Sequence, residues 1–178
     1  NDGMDHSWFG SSVSVSGSTV VVGAWFANNG SGALTGAAYV FARDAGGVGN
    51  WGQVKKILAP YGASHERFGA TAVTDGFFAV IGAPGAHWGA STEGAAYIFR
   101  ADQGGPGQWG YVTRLRASDA VASSAFGGAV ALAGDTVAVG AEAAYVGGQE
   151  RGAVYLYQRD QAGAGQWGQV AKLSSSDA

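Results

Sequence analysis

Cysteine is absent from this chain, which rules out disulfides, thiolate metal sites and a cysteine nucleophile. The absence fixes no compartment, since exported bacterial proteins often lack cysteine as well. Charge is scarce too: Asp, Glu, Lys and Arg make up 13% of the residues, against roughly 25% in an ordinary soluble domain. Much of each structural unit must therefore lie against protein rather than water. The net charge of -3 comes with no basic stripe, so nucleic-acid binding carried by phosphate contacts is not expected. No run approaches the roughly 18 apolar residues of a membrane helix, so membrane insertion is not expected either. The three prolines, Pro60, Pro84 and Pro106, fall in stretches that read as connections, where a missing amide donor does no harm. With Asn1 in place of an initiator Met and "SSSDA" at its close, the chain reads as a processed or excised piece, cut within a linker at both ends.

What is present is repetition. "NWGQVKKIL" from Asn50, "QWGYVTRL" from Gln108 and "QWGQVAKL" from Gln166 put Trp51, Trp109 and Trp167 at a constant spacing of 58 residues. A fixed period of that size marks a repeat architecture. Phe9-Gly10, Phe68-Gly69 and Phe126-Gly127 keep nearly the same step, as do Gly23-Ala24, Gly82-Ala83 and Gly140-Ala141. "GAAYVF", "GAAYIF" and "GAVYLY", from Gly36, Gly94 and Gly152, follow suit. The whole chain, 1–178, is one array of three units, 9–67, 68–125 and 126–178, with 1–8 as the linker from a preceding repeat.

Within a unit the pattern is that of strands. "SSVSVSG" alternates Val13 and Val15 with serines, a strand with one apolar face, and "GST" turns it into a hairpin. "TVVVGA", "FAVIGA" and "TVAVGA" are apolar on both faces and predict a second strand covered on both sides. The third strand is "GAAYVFAR" and its equivalents, and the fourth carries the Trp. Helical periodicity occurs nowhere. Four short antiparallel strands per unit, repeated, predict an all-β fold of propeller-type blades, packed face to face. Tyr39, Tyr97, Tyr155 and the three repeated Trp residues then fill the wider gaps between blades, while Gly and Ala let sheets crowd together. Three blades fall short of the four to eight of a closed propeller and leave two apolar faces. The expectation is a partial propeller, completed by self-association as a homodimer ring or a filament, or by further blades of a longer chain.

Phe-Gly at the start of a unit and Gly-Ala-Pro after its second strand, literal in "IGAPG" around Gly82 to Pro84, resemble the FG-GAP repeat of integrin alpha-subunit propellers. The chain is most similar to a bacterial variety, through "AGDTVAVGA", "GAAYIF", Trp109, "AKL" and "SDA". The resemblance implies an extracellular or cell-surface, secreted module for adhesion, interaction or structural assembly. It departs from integrins at one hairpin: "VSGST", "VTDGF" and "LAGDT" hold only Asp75 or Asp135 where calcium-binding copies carry several carboxylates. No cofactor or metal is expected on that account, with calcium kept as an open alternative. Asp44, Asp102 and Asp160 are read as turn-forming residues.

Function is expected where the copies disagree, between the second and third strands: "WFANNGSGALT", "PGAHWGASTE" and "EAAYVGGQER". Trp25, Phe26, His87, Trp88 and Tyr145 there stand beside Asn28, Asn29, Glu93, Glu142 and Gln149, a mixture suited to a glycan or protein ligand. "NGS" at Asn29 is also a glycosylation sequon. No catalytic motif is present, neither G-x-S-x-G nor H-E-x-x-H, and a non-catalytic role is expected. Lys55, Lys56, Arg114, Arg116 and Lys172 are read as solvated surface. The alternative is a lectin using the same loops. The scaffold part of a propeller enzyme, with its catalytic residues in absent blades, ranks last.

Overall fold

The computed structural model describes residues 7–28, 33–89 and 91–176. Among them there is no helix, and the strands form three four-stranded antiparallel sheets. The first sheet holds β1 (Ser12–Ser16), β2 (Thr19–Ala24), β3 (Ala37–Arg43) and β4 (Trp51–Ile57), in that order. The second holds β5 (Thr71–Thr74), β6 (Phe78–Ala83), β9 (Ala95–Arg100) and β10 (Gly110–Leu115), with β7 (His87–Trp88) and β8 (Ser91–Thr92) as a small hairpin between β6 and β9. The third holds β11 (Phe126–Ala133), β12 (Thr136–Ala141), β15 (Ala153–Arg159) and β16 (Trp167–Leu173), with the hairpin β13 (Tyr145–Val146) and β14 (Gln149–Glu150) in the same place. Each sheet is an up-and-down meander of consecutive strands, the build of a propeller blade.

The repeated "WG-x-V" phrase has two structural causes. Each third-to-fourth-strand pair slips register once, at Val40/Phe41, Tyr111/Thr113 and Leu156/Tyr157, and the residue left over is Val54, Val112 or Val170. A bulge at a fixed place re-aims the outer strand and strengthens its twist. The Trp before it packs between blades: Trp109 and Trp167 are buried, at 5% and 7% exposure. Trp51, in the first blade, is 42% exposed, because no blade covers that face.

The two core clusters lie between sheets. Val21, Ala38, Val40 and Ile57 of the first blade meet Phe68, Ile81, Tyr97, Phe99 and Trp109 of the second. Val80, Ala96, Ile98 and Leu115 of the second meet Phe126, Val137, Val139, Tyr155 and Trp167 of the third. Each blade thus presents a mainly aliphatic trailing face, joined in the second blade by Phe78 against Trp167, to the aromatic leading face of the next. The Phe of each unit packs on aromatics of its own third strand, edge-on in Phe68 with Tyr97 at 5.4 Å and tilted in Phe126 with Tyr155 at 5.5 Å.

The glycines of the repeated motifs seal these junctions. Gly69 and Gly127, at φ 90° and 93°, press against the carbonyls of Ala37 and Ala95, and Gly23 and Gly82 against those of Gly69 and Gly127. A methyl group at any of the four would collide with backbone. Phe68 and Phe126 also pair, as parallel bridges, with Gly36 and Gly94 of the preceding blade. The conserved-looking spacing of Phe-Gly and Gly-Ala within this chain is therefore the imprint of one inter-blade contact made twice.

The first strand departs from the simple expectation for an amphipathic strand. Val13 and Val15 are 67% and 66% exposed, and the serine face is the one against protein. Ser12 Oγ donates to the Gly69 carbonyl at 3.0 Å, Ser16 Oγ donates to that of Asp75 at 2.8 Å, and Ser14 Oγ accepts from the Thr74 amide at 3.1 Å. Inner strands of adjacent blades approach too closely for larger side chains, so small hydroxyls bridge them. The valines belong to the uncovered leading face.

Candidate functional site

The loops between second and third strands of the first two blades gather with the two connectors between blades. There they enclose a cavity of about 680 Å³. Trp25, Phe26 and Leu34 come from the first blade, His65 and Arg67 from the first connector, Pro84, Gly85, His87 and Thr92 from the second blade, and Ser123 and Ala125 from the second connector. Trp25 and Phe26 stand edge to face at 5.4 Å, and the Arg67 guanidinium lies 5.6 Å from the Trp25 ring centre. His65, Arg67, Ser123 and Ala125 all have left-handed backbone, at φ 68°, 57°, 64° and 55°. The pairs recur because each connector turns the same way, with His65 and Ser123 three residues before Phe68 and Phe126. Backbone amides fix the turns: His65 N–H donates to the Leu34 carbonyl at 2.9 Å and Phe68 N–H to that of Thr35 at 3.0 Å.

A second, smaller groove of about 290 Å³ is lined by Tyr61, Trp88, Tyr111, Thr113 and Arg114. Arg114 is its centre. Nη2 donates to the His87 carbonyl at 2.6 Å, and the guanidinium stacks 4.1 Å from the Trp88 ring centre. Burial, and then the hydrogen bond with Tyr61, push the Tyr111 hydroxyl up to about 12. Beneath lies Glu66, 1% exposed. Burial raises its carboxyl above the ordinary value, more than the Ala63 amide and Arg114 lower it. Burial and then the Glu66 carboxylate raise the Tyr97 hydroxyl in turn.

The next junction solves the same problem differently. Asp119 accepts from the Tyr155 hydroxyl at 2.8 Å and from Lys172 Nζ at 2.6 Å. At the equivalent place in the preceding connector stands Tyr61, and the carboxylate comes from Glu66 instead.

The loop residues singled out from the sequence are thus dispersed. Trp25, Phe26 and His87 share the large cavity, and Trp88 faces the smaller groove. Asn28 bridges to Leu34 at the base of its loop, and Asn29 lies outside the described residues. Glu93 is buried at 5% exposure, and its carboxylate accepts from Arg116 Nε and Nη2 at 2.7 and 2.9 Å. That pair lowers the Glu93 carboxyl against the pull of burial, and makes Glu93 a strut rather than a free ligand contact. Glu142, Tyr145 and Gln149 are exposed on the third blade, away from both cavities, and Gln149 accepts from Arg151. Three cations read as solvated surface are engaged: Arg114 with Trp88, Arg116 with Glu93, and Lys172 with Asp119.

Sequence reasoning passed over His65, Arg67 and Ser123. The usable signal was that the connectors, "HSW", "HER" and "SSA" before each Phe-Gly, differ between copies as much as the loops do. Of the turn aspartates, Asp44 and Asp160 accept from the amides of Gly49 and Gly165, whereas Asp102 pairs with Arg100. Among the described residues, no three His, Asp or Glu side chains cluster closely enough to hold a metal ion. No helix there is long and apolar enough to cross a membrane.

Comparison with family models matches the FG-GAP repeat three times, over residues 1–41, 51–99 and 109–157. These matches span most of the sequence, and the chain belongs to the FG-GAP repeat family. Two of them begin at or beside a fourth strand and end in the third strand of the following sheet. The sequence unit therefore crosses the junction that its Phe-Gly glycine seals. FG-GAP repeats are typically adhesion and interaction modules of extracellular proteins. A search of curated proteins finds no match.

Proposed function

We propose that this chain is a non-catalytic, extracellular module of interaction and assembly, which joins a second copy of itself through the two end faces of its blade stack. The observation that carries this is the state of the repeated motif at the ends. Among the described residues a methyl group on Gly10 would meet nothing, and one on Gly140 would meet only Ala129 of its own sheet, whereas the equivalent positions at both internal junctions are sealed by the neighbouring blade. Phe9 at 53% and Leu173 at 51% are likewise exposed, against 0% for Phe68 and 2% for Leu115. The aliphatic trailing face of the third blade, with Val154 and Leu173, has the chemistry of the faces that cover Phe68 and Phe126. It suits the open leading face of another copy.

Light scattering on the purified chain tests the proposal. A dimer corresponds to a closed six-bladed ring, and long polymers to head-to-tail stacking. A stable monomer at micromolar concentration overturns self-association and leaves the faces to further blades of a longer chain.

The lectin reading has one specific observation behind it, the cavity that Trp25, Phe26 and His87 share. Glycan binding lost in Trp25→Ala supports it. An unchanged binding profile in that variant counts against it.

A further inference from the structure

The large cavity has a charge character that the scaffold does not demand. His65, Arg67 and His87 all line it, and no carboxylate does among its described lining residues. This is unexpected in a chain whose net charge is -3. Four cations elsewhere are paired with carboxylates: Arg116 binds Glu93, Arg159 binds Asp135, Arg100 binds Asp102 and Lys172 binds Asp119. None of those ion pairs takes His65, Arg67 or His87. Among the described residues the Arg67 guanidinium lies over the face of Trp25, which orients it and leaves its donors for a ligand. Glu66 is buried and does not line the cavity, but its carboxylate interacts with Arg114, Tyr97 and His87, which leaves Arg67 and His65 as the basic groups turned to a ligand.

The other connector serves as an internal control. It makes the same left-handed turns with Ser123 and Ala125 where the first has His65 and Arg67. The third blade carries Tyr145 at the position equivalent to His87. Folding asks for the backbone conformation, which costs about 1 kcal/mol or more at any non-glycine residue. It does not ask for basic side chains.

We propose that this cavity binds an acidic saccharide, a uronate-bearing glycan whose carboxylate meets Arg67 and His65 and whose ring lies against the wall of Trp25 and Phe26. The proposal deepens the reading of the loops as a ligand-contact side and is independent of self-association. A guanidinium and imidazoles recognise a carboxylate by charge-assisted hydrogen bonds, and aromatic walls suit the apolar faces of a sugar ring. An extended acidic peptide fits less well. Peptides are captured largely through main-chain pairing, and the rim amides of His65, Gly85 and Ser123 already donate to Leu34, Glu66 and Thr92.

Calorimetric titration of the intact chain with tetragalacturonate, maltotetraose and tetraglutamate tests the assignment. The decisive variant, His65→Ser with Arg67→Ala, transplants the side chains of the second connector and keeps its backbone demands, and its melting temperature checks the fold. The expected result is binding of tetragalacturonate at least tenfold tighter than of either control, weakened at least tenfold in the variant and by added salt. Equal binding of maltotetraose overturns the charge assignment while leaving a neutral-glycan lectin standing. Preferred binding of tetraglutamate replaces the saccharide with an acidic peptide. No binding of any probe, or undiminished binding in the variant, overturns the site itself.

Discussion

Phe9 and Phe68 hold the same place in consecutive repeats, each edge-on to the Tyr of its own third strand, at 5.3 and 5.4 Å. Yet Phe68 is fully buried and Phe9 is 53% exposed. The ring-on-ring contact within a blade is common to both, so what differs is the neighbouring blade alone. Burial in this fold is a property of the junction and not of the strand, as expected where a repeat cannot bury its own apolar face. Phe68→Ala breaks the comparison most severely. It removes a ring from the packed core between two sheets, at a cost of about 3–5 kcal/mol. Phe9→Ala, read at concentrations where the chain is monomeric, costs under about 1 kcal/mol. Urea denaturation of the two variants measures the difference, and equal losses would mean that the first blade's leading face is covered in solution.

The glycines sharpen the same contrast by a smaller margin. Gly69→Ala places a methyl group against the Ala37 carbonyl in a left-handed backbone, and about 2–4 kcal/mol is expected from steric and conformational strain together. Gly10→Ala meets no neighbour and pays only the conformational part, about 1–2 kcal/mol. If self-association proceeds as proposed, Gly10→Ala also abolishes it, since the methyl group would then stand where the collisions at Gly69 and Gly127 occur. An assembly unaffected by Gly10→Ala would place the contact elsewhere.

The blades could be read from the sequence because each copy restates the others: Phe-Gly, Gly-Ala and the Trp mark positions where backbone meets backbone, and such contacts tolerate few residues. Val13 and Val15 announced an apolar face correctly, but the strand alone could not say that this face is the open one. That depends on which neighbour is present. The candidate site was legible only in part, because its chemistry converges across junctions. Trp25 and His87 drew attention as aromatic and imidazole groups in variable loops, while Arg67, beside a scaffold Phe, was not singled out. The ion pairs were hidden for the same reason: Arg116 finds Glu93 and Lys172 finds Asp119 across 23 and 53 residues of chain, a separation with no local signature.

The smallest effect distinguishes the two internal junctions from each other, through carboxylates shifted in opposite directions. Burial opposes ionisation of Asp119, but the hydrogen bonds from Lys172 and Tyr155 outweigh it and lower its carboxyl. A lowered folded-state value means that its stabilisation is complete above the unfolded value, about pH 4, and is lost as pH falls through the folded one. Asp119→Asn should therefore lower the melting temperature at pH 7 by roughly 2–4 °C, as expected for about 1 kcal/mol in a protein of this size, and the deficit should fade on acidification. Glu66 is raised, chiefly by burial, so its ionisation opposes folding and the penalty grows as pH rises from about 4 through the folded-state value. Glu66→Gln should then match the wild type in acid and melt slightly higher at neutral pH. Melting curves between pH 3.5 and 7 give the two slopes. A Glu66→Gln variant that melts lower at pH 7 would mean that the charge is needed by Arg114, and that the first junction is locked by an ion pair just as the second is.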